Sequence, residues 1–165
     1  MNLRIQLKKK HHNTTILNCI RSDGSNTFTK LPLNLEIHDI AHYVVEKQLG
    51  FTHAFYGLLA LGYEIGDFQL PREERPQALQ PKNLHPEALM TEHLVNVLQI
   101  DFQCPAADQL DLIKTIGTIL KENNLAFPEQ LNQERLRDIR EELKRLMRNW
   151  EQVEVGGHLE LVLHI

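Results

Sequence analysis

Leu3-Arg4-Ile5-Gln6-Leu7-Lys8 places apolar and polar residues in strict alternation near the start of the chain. This period of two is typical of a β-strand that buries one face and leaves the other in solvent. The same alternation returns near the other end in Leu159-Glu160-Leu161-Val162-Leu163, after a break at Gly156-Gly157. The simplest arrangement is that this last strand completes a sheet begun by the first residues.

Two further strands are predicted next to the first one. Thr14–Arg21 is rich in β-branched and apolar residues, Ser22–Ser25 contains a turn signal, and Asn26–Leu31 can return as a third strand. The chain is expected to reverse at Lys10–Asn13. These segments together predict an N-terminal meander.

The middle of the chain is predicted to be helical. A first helix runs from Leu35 to a stop at Gly50, and a second runs from an N-cap at Thr52 to about Gly62. The segment Glu64–Pro86 contains four prolines and is interpreted as an irregular, covering or lid-like segment. Three more helices are each expected to begin at a proline: Pro86 to about Ile100, Pro105 to about Glu122, and Pro128 to about Trp150.

The predicted fold class is therefore α+β. A small, mostly antiparallel sheet, made by the N-terminal meander and the C-terminal strand, packs against about five helices. The chain of 165 residues is 42% hydrophobic, which is enough for one core, so we predict a single domain over residues 1–165.

The charge and the apolar content of the chain indicate which partners and which cellular location to expect. The net charge is −4 and neither end carries a long run of one sign, so no binding to nucleic acid is expected. No apolar stretch approaches the roughly 20 residues of a membrane span, and Met1–Gln6 has no apolar signal core, so we expect no membrane association and a cytoplasmic location.

Cys19 and Cys104 lack the CxxC spacing and are interpreted as reduced, buried thiols. The apolar seam of the last helix is too short for a sustained coiled coil, which favours a monomer or a weak homodimer.

The stretch His-Asp-Ile-Ala-His-Tyr-Val-Val-Glu, residues 38–46, holds the one cluster of residues suited to chemistry. On a helix that turns about 100° per residue, its four ionisable side chains fall within one arc of roughly 100°. These residues are His38, Asp39, His42 and Glu46. Two imidazoles at positions i and i+4 can bind one metal ion, as in the zinc motif H-E-x-x-H.

We therefore predict a divalent metal site with His38 and His42 as ligands, zinc being the first choice and iron or manganese the next. Glu46 is either a third ligand or a partner that holds the other ring nitrogen of His42. Asp39 stands where the zinc motif has its glutamate and is the acid–base candidate for hydrolase-like chemistry. Its side chain is one methylene shorter, which disfavours peptidase activity.

A further ligand must come from elsewhere in the chain. The candidates are His53, Glu64, Asp67, Glu92 and His93. The alternative interpretation is a non-enzymatic binding or structural protein whose histidine face is only solvated, because H-x-x-x-H occurs by chance in many helices.

The same stretch resembles the signature of a family of small bacterial proteins with no established activity. That signature is H-D-x-x-H-(Y/F)-x-V-E, then L-G-F and F-Y-G-L, and here it is matched by His38–Glu46, Leu49–Phe51 and Phe55–Leu58. The resemblance is close over about 21 residues and loose over the rest of the chain. It implies that the four ionisable residues of the stretch belong to the family pattern, whereas His53 and His93 do not.

Overall fold

The structure, a computed structural model, describes residues 1–106 and 108–165. It confirms the predicted α+β class, because a four-stranded antiparallel sheet packs against a layer of helices. The strands lie in the order β3-β2-β1-β4. Their bounds are β1 Asn2–Lys10, β2 Thr14–Arg21, β3 Asn26–Leu31 and β4 His158–His164.

The two ends of the chain pair as the sequence predicted. In the antiparallel ladder between β1 and β4, Leu3 lies opposite Leu163 and Ile5 lies opposite Leu161. These four side chains are at most 6% exposed and belong to one hydrophobic core shared with the helices. The alternation of the first strand therefore marks the face of the sheet on which the helices pack.

The helical layer contains six helices within the described residues. Their bounds are α1 Glu36–Leu49, α2 Phe55–Ala60, α3 Ile65–Gln69, α4 Pro86–Gln103, α5 Gln109–Glu122 and α6 Gln133–Glu151. The first helix ends as predicted, since Gly50 adopts a left-handed conformation with φ 67° and caps its C-terminus.

Two of the three helix starts predicted at prolines are wrong. Pro86 does occupy the first turn of α4, but α5 and α6 begin several residues after their prolines. The side chains of Asp108 and Asn132 accept hydrogen bonds from backbone N–H groups of the first turns, at 2.8 and 2.9 Å. Polar N-caps thus set these starts, because they satisfy backbone donors that a proline only removes.

The predicted start of the second helix is also wrong, and its position depends on the first helix. Thr52 does not cap α2, which begins at Phe55. Instead, the side chain of Glu46 on α1 reaches the N-terminus of α2 and accepts hydrogen bonds from the backbone N–H groups of Tyr56 and Gly57, at 3.1 and 3.0 Å. A carboxylate from a neighbouring helix therefore fixes where α2 begins.

Gly57 allows this close approach, because a Cβ atom there would lie 2.2 Å from the carbonyl oxygen of Thr52. We expect Gly57→Ala to destabilise the fold by about 1–3 kcal/mol through overpacking. In an exposed helix the same change stabilises by up to about 1 kcal/mol. Urea unfolding measures the difference, with Gly66→Ala in α3 as the control, because a Cβ atom at Gly66 meets no atom within 4 Å. Equal stability of the two variants would contradict the steric argument.

The predicted irregular segment Glu64–Pro86 contains one short helix that the sequence did not predict, α3. Between α3 and α4 the segment is irregular, and it packs against the rest of the chain. It contains two single-turn 3-10 helices, Gln77–Leu79 and Pro81–Asn83. The side chain of Leu79 is 1% exposed. The segment therefore covers part of the helical layer.

Two expectations from composition can be compared with the structure. Within residues 1–106 and 108–165, no helix is both long enough and apolar enough to cross a membrane. Cys19 is buried, as expected, but Cys104 is exposed at the C-terminal end of α4, so the prediction of two buried thiols is wrong for this residue.

Candidate metal centre

Three side chains from α1 and α4 converge at one point. His38, His42 and Glu92 each offer one ligand atom, and these atoms all lie within 4.8 Å of one another. The rings of His38 and His42 have centroids 4.7 Å apart, and Nε2 of His42 lies 3.5 Å from Oε1 of Glu92. The structure thus brings the two predicted histidines together with one of the five candidates for a further ligand.

The two imidazoles are shielded from solvent to different degrees. His42 is 2% exposed and His38 is half-buried. Burial lowers the pKa of His42, and burial together with the neighbouring His42 lowers the pKa of His38 to about 4. Both rings are therefore neutral near pH 7, which is the form that binds a metal ion. At His42 the helix face is buried rather than solvated, while the Glu92 side chain is 56% exposed and opens the cluster to solvent.

Glu46 lies on the other side of His42 and is not part of the three-residue cluster. Its carboxylate is fully buried, and Oε1 is 3.5 Å from Nδ1 of His42. Burial raises the pKa of Glu46 to about 8, against the opposing effect of the two backbone N–H donors of α2. Glu46 therefore lies next to Nδ1 of His42 without a hydrogen bond to it, whereas Nε2 of the same ring faces Glu92.

Asp39 is buried beside the cluster, with 5% exposure. Burial, followed by the charges of Glu36 and Glu92, raises its pKa to about 7. A carboxyl group with a pKa near neutrality can both accept and release a proton under ordinary conditions. The side chain is not one of the three converging ligands.

Unpaired buried polar atoms are concentrated on the same two helices. Within the described part of the chain, the buried side-chain atoms without a hydrogen-bond partner are Asp39 Oδ2, His42 Nδ1 and Thr91 Oγ1. Asp39 and His42 belong to α1, and Thr91 precedes Glu92 on α4. Each such atom costs roughly 1–3 kcal/mol, so their clustering is typical of a functional site rather than of a core.

The remaining ligand candidates have other partners or positions. Glu64 pairs with Arg21 at 3.0 Å, and Asp67 accepts the backbone N–H of Glu64 at 2.8 Å in the capping box of α3. His93 is half-buried next to Glu92 but does not belong to the cluster.

His53 joins a second cluster with His85 and Glu87. The two rings of this cluster stack with centroids 4.6 Å apart. The carboxylate of Glu87 already accepts the backbone N–H groups of Thr52 and His53, at 2.9 and 2.7 Å. Both histidine side chains are about half exposed, at 49% and 47%, so this cluster is less enclosed than the one at His42.

A cavity of about 260 Å³ adjoins the cluster at His42, and Glu92 lines it. The ring of Phe55 separates the two, because its centroid lies 5.5 Å from that of His42 and 5.0 Å from that of Phe68. Phe68, Arg75, Leu79 and Leu84 contribute to the cavity wall from residues 64–86. The segment predicted to be covering thus covers this cavity.

Sequence reasoning missed Phe55 and Arg75 as residues near the site. Phe55 does stand in the F-Y-G-L part of the resembled signature, so a signal for it was present. Arg75 lies in an irregular proline-rich segment, where no periodicity indicates which side chains point inward.

A larger, more open concavity of about 510 Å³ lies at the hairpin between β1 and β2. Its basic residues Lys10, His11 and His12 are exposed, as expected of turn residues, and the Lys9 amino group is held by the carbonyl of Trp150 at 3.0 Å. This concavity is lined largely by residues of an exposed turn. The buried donors between α1 and α4 provide the better candidate for chemistry.

Comparison of the chain with protein-family models, with curated protein sequences and with solved structures gave no match.

Proposed function

We propose that this protein binds a divalent metal ion through His38, His42 and Glu92, with zinc as the first choice and iron or manganese as the next. One observation carries the proposal: Nε2 of the buried His42 lies 3.5 Å from Oε1 of Glu92 without a hydrogen bond between them. In a tetrahedral site with bonds of about 2.1 Å, ligand atoms lie roughly 3.4 Å apart. This pair is already spaced for a shared ion, and the half-buried His38 is within reach of the same point.

The set of donors supports a site that can react as well as bind. Two imidazole nitrogens and one carboxylate oxygen are the ligands of catalytic zinc sites and of non-haem iron sites, in which open positions remain for water or substrate. The exposed Glu92 leaves such a position accessible, and Glu46 can orient His42 through Nδ1. Asp39 is the acid–base candidate for a hydrolytic reaction at this site.

The first test is metal content by mass spectrometry on tag-free protein purified without chelator. We expect close to one equivalent of zinc, iron or manganese in the native protein. Removal of a partner that only orients a ligand typically costs about 10–100-fold in metal affinity, so loss of two ligands in a His38→Ala, His42→Ala double variant is expected to cost at least about 100-fold.

The matched control is His93→Gln, which changes a histidine next to Glu92 that lies outside the cluster. It is expected to retain the native metal content. The proposal is wrong if the native protein carries no metal and takes up none on titration, or if the double variant retains it.

A further inference from the structure

We propose that the cavity beside Glu92 binds a small apolar molecule that carries one carboxylate group, with the guanidinium of Arg75 pairing with that group. The inference deepens the proposed function by naming a class of substrate, and it rests on that function only in assigning Glu92 to the metal.

The cavity selects for an apolar ligand body. Its wall is largely made of apolar side chains, which include Phe55, Leu58, Phe68, Leu79, Leu84 and Leu89. A volume of about 260 Å³ lies just below the usual range for small-molecule sites, about 300–1,000 Å³. A molecule with a short aliphatic or single-ring body matches both properties.

Arg75 supplies the charge that selects the other end of the ligand. Its Nε donates to the carbonyl oxygen of Leu70 at 3.0 Å, which fixes the plane of the guanidinium. Within the described residues no carboxylate lies close enough to Arg75 to form an ion pair, although the side chain is half-buried at the cavity wall. The two terminal nitrogens are therefore available, and a planar guanidinium matches the geometry of a carboxylate.

Glu92 determines which end of the ligand lies at which end of the cavity. Its carboxylate lines the same cavity and belongs to the proposed metal centre. A free carboxylate of the ligand is repelled by Glu92 and attracted by Arg75, so the anionic end is expected at Arg75. The opposite end of the ligand then lies towards Glu92, the lining residue that the cavity shares with the proposed metal centre.

The test uses hexanoate as the probe and hexanol as its uncharged counterpart, with binding measured by ligand-observed NMR. Measurements are made on metal-stripped and on metal-loaded protein. We expect hexanoate to bind both forms of the native protein, and Arg75→Met to weaken that binding at least about tenfold, because a hydrogen-bonded charged pair is lost. Binding of hexanol is expected to change by less than about twofold, since the apolar wall is retained.

Arg72→Met is the matched control, because Arg72 is an exposed arginine of the same segment that does not line the cavity. It should bind hexanoate as the native protein does. Arg75→Lys keeps the charge without the planar group and should fall between the native protein and Arg75→Met, which provides a second measurement if Arg75→Met folds poorly.

The outcomes separate this inference from the metal proposal. Absence of hexanoate binding, or equal loss in the Arg72 and Arg75 variants, overturns the carboxylate site even if metal is bound. Arg75-dependent binding to a protein that takes up no metal supports the carboxylate site and overturns the metal centre.

Discussion

Glu46→Ala is expected to lower the free energy of unfolding by about 2–6 kcal/mol, because two backbone N–H groups are left buried without an acceptor, at about 1–3 kcal/mol each. These are the N–H groups of Tyr56 and Gly57 at the start of α2, a site where Glu46 is fully buried. Water cannot replace the carboxylate without opening the contact between α1 and α2. Urea denaturation followed by circular dichroism measures the change.

Glu46→Gln separates the capping role from the orientation of His42. The amide keeps one oxygen acceptor but turns an NH₂ group towards a backbone donor or towards Nδ1 of His42. We expect a smaller loss of stability than in Glu46→Ala, together with a 10–100-fold loss of metal affinity, since a misplaced partner of a ligand histidine has that effect. Unchanged metal affinity in a folded Glu46→Gln variant would show that Glu46 serves α2 alone.

The control for both variants is Glu141→Ala, an exposed glutamate on α6. Its stability is expected to stay within about 0.5 kcal/mol of the native protein, as for most exposed positions. A loss of stability in Glu46→Ala no larger than this would contradict the capping role.

The sheet was predictable because each of its strands carries local information. The alternation in Leu3–Lys8 and in Leu159–Leu163 fixes which side chains face the core, and a shift by one residue would turn every leucine to solvent. The antiparallel pairing of β1 with β4 follows from that pattern and is observed. The end of α1 at Gly50 was predictable for a similar reason, since a left-handed residue there favours glycine.

The helix starts were less predictable because competing local signals are resolved by tertiary contacts. Thr52 is a good N-cap by type, yet its backbone N–H is held by Glu87 on α4 at 2.9 Å. The donors of α2 are held by Glu46 on α1 instead. A carboxylate from another helix leaves no sequence signal next to the helix that it caps.

The candidate site, too, was predictable only where its geometry depends on local sequence. His38 and His42 share a helix face, so their spacing predicted that their rings lie close together, and the rings are 4.7 Å apart. The approach of Glu92 to the two histidines depends on the packing of α4 on α1, which no local sequence pattern encodes. The position of Glu46 also depends on tertiary structure, which places the two ring nitrogens of His42 next to two different carboxyl groups.

A buried ion pair between α4 and α6 illustrates a contact for which the sequence offers no signal. Asp101 is 5% exposed and accepts from Nε and Nη2 of Arg140, at 2.8 and 3.1 Å. The same carboxylate accepts the backbone N–H of Ala106 at 2.8 Å. It therefore joins the end of α4, the following chain and α6.

We expect Asp101→Ala to destabilise the protein by about 3–5 kcal/mol, because the Arg140 side chain, 12% exposed, would be left buried without its partner. Metal affinity should change little, since Glu92 lies about 13 Å away along α4 at 1.5 Å per residue. Thermal and urea unfolding measure the first effect, and metal titration measures the second.

The double variant Asp101→Leu, Arg140→Met tests whether the ion pair adds net stability or mainly selects one packing arrangement of α4 and α6. Replacing both charges by apolar side chains of similar size is often neutral or even stabilising, because both desolvation costs are removed together. The loss of the Ala106 hydrogen bond retains a cost of about 1–3 kcal/mol. We therefore expect the double variant to be more stable than Asp101→Ala. If its loss of stability equals the sum of the losses in the single variants Asp101→Leu and Arg140→Met, the ion pair contributes no coupling energy between α4 and α6.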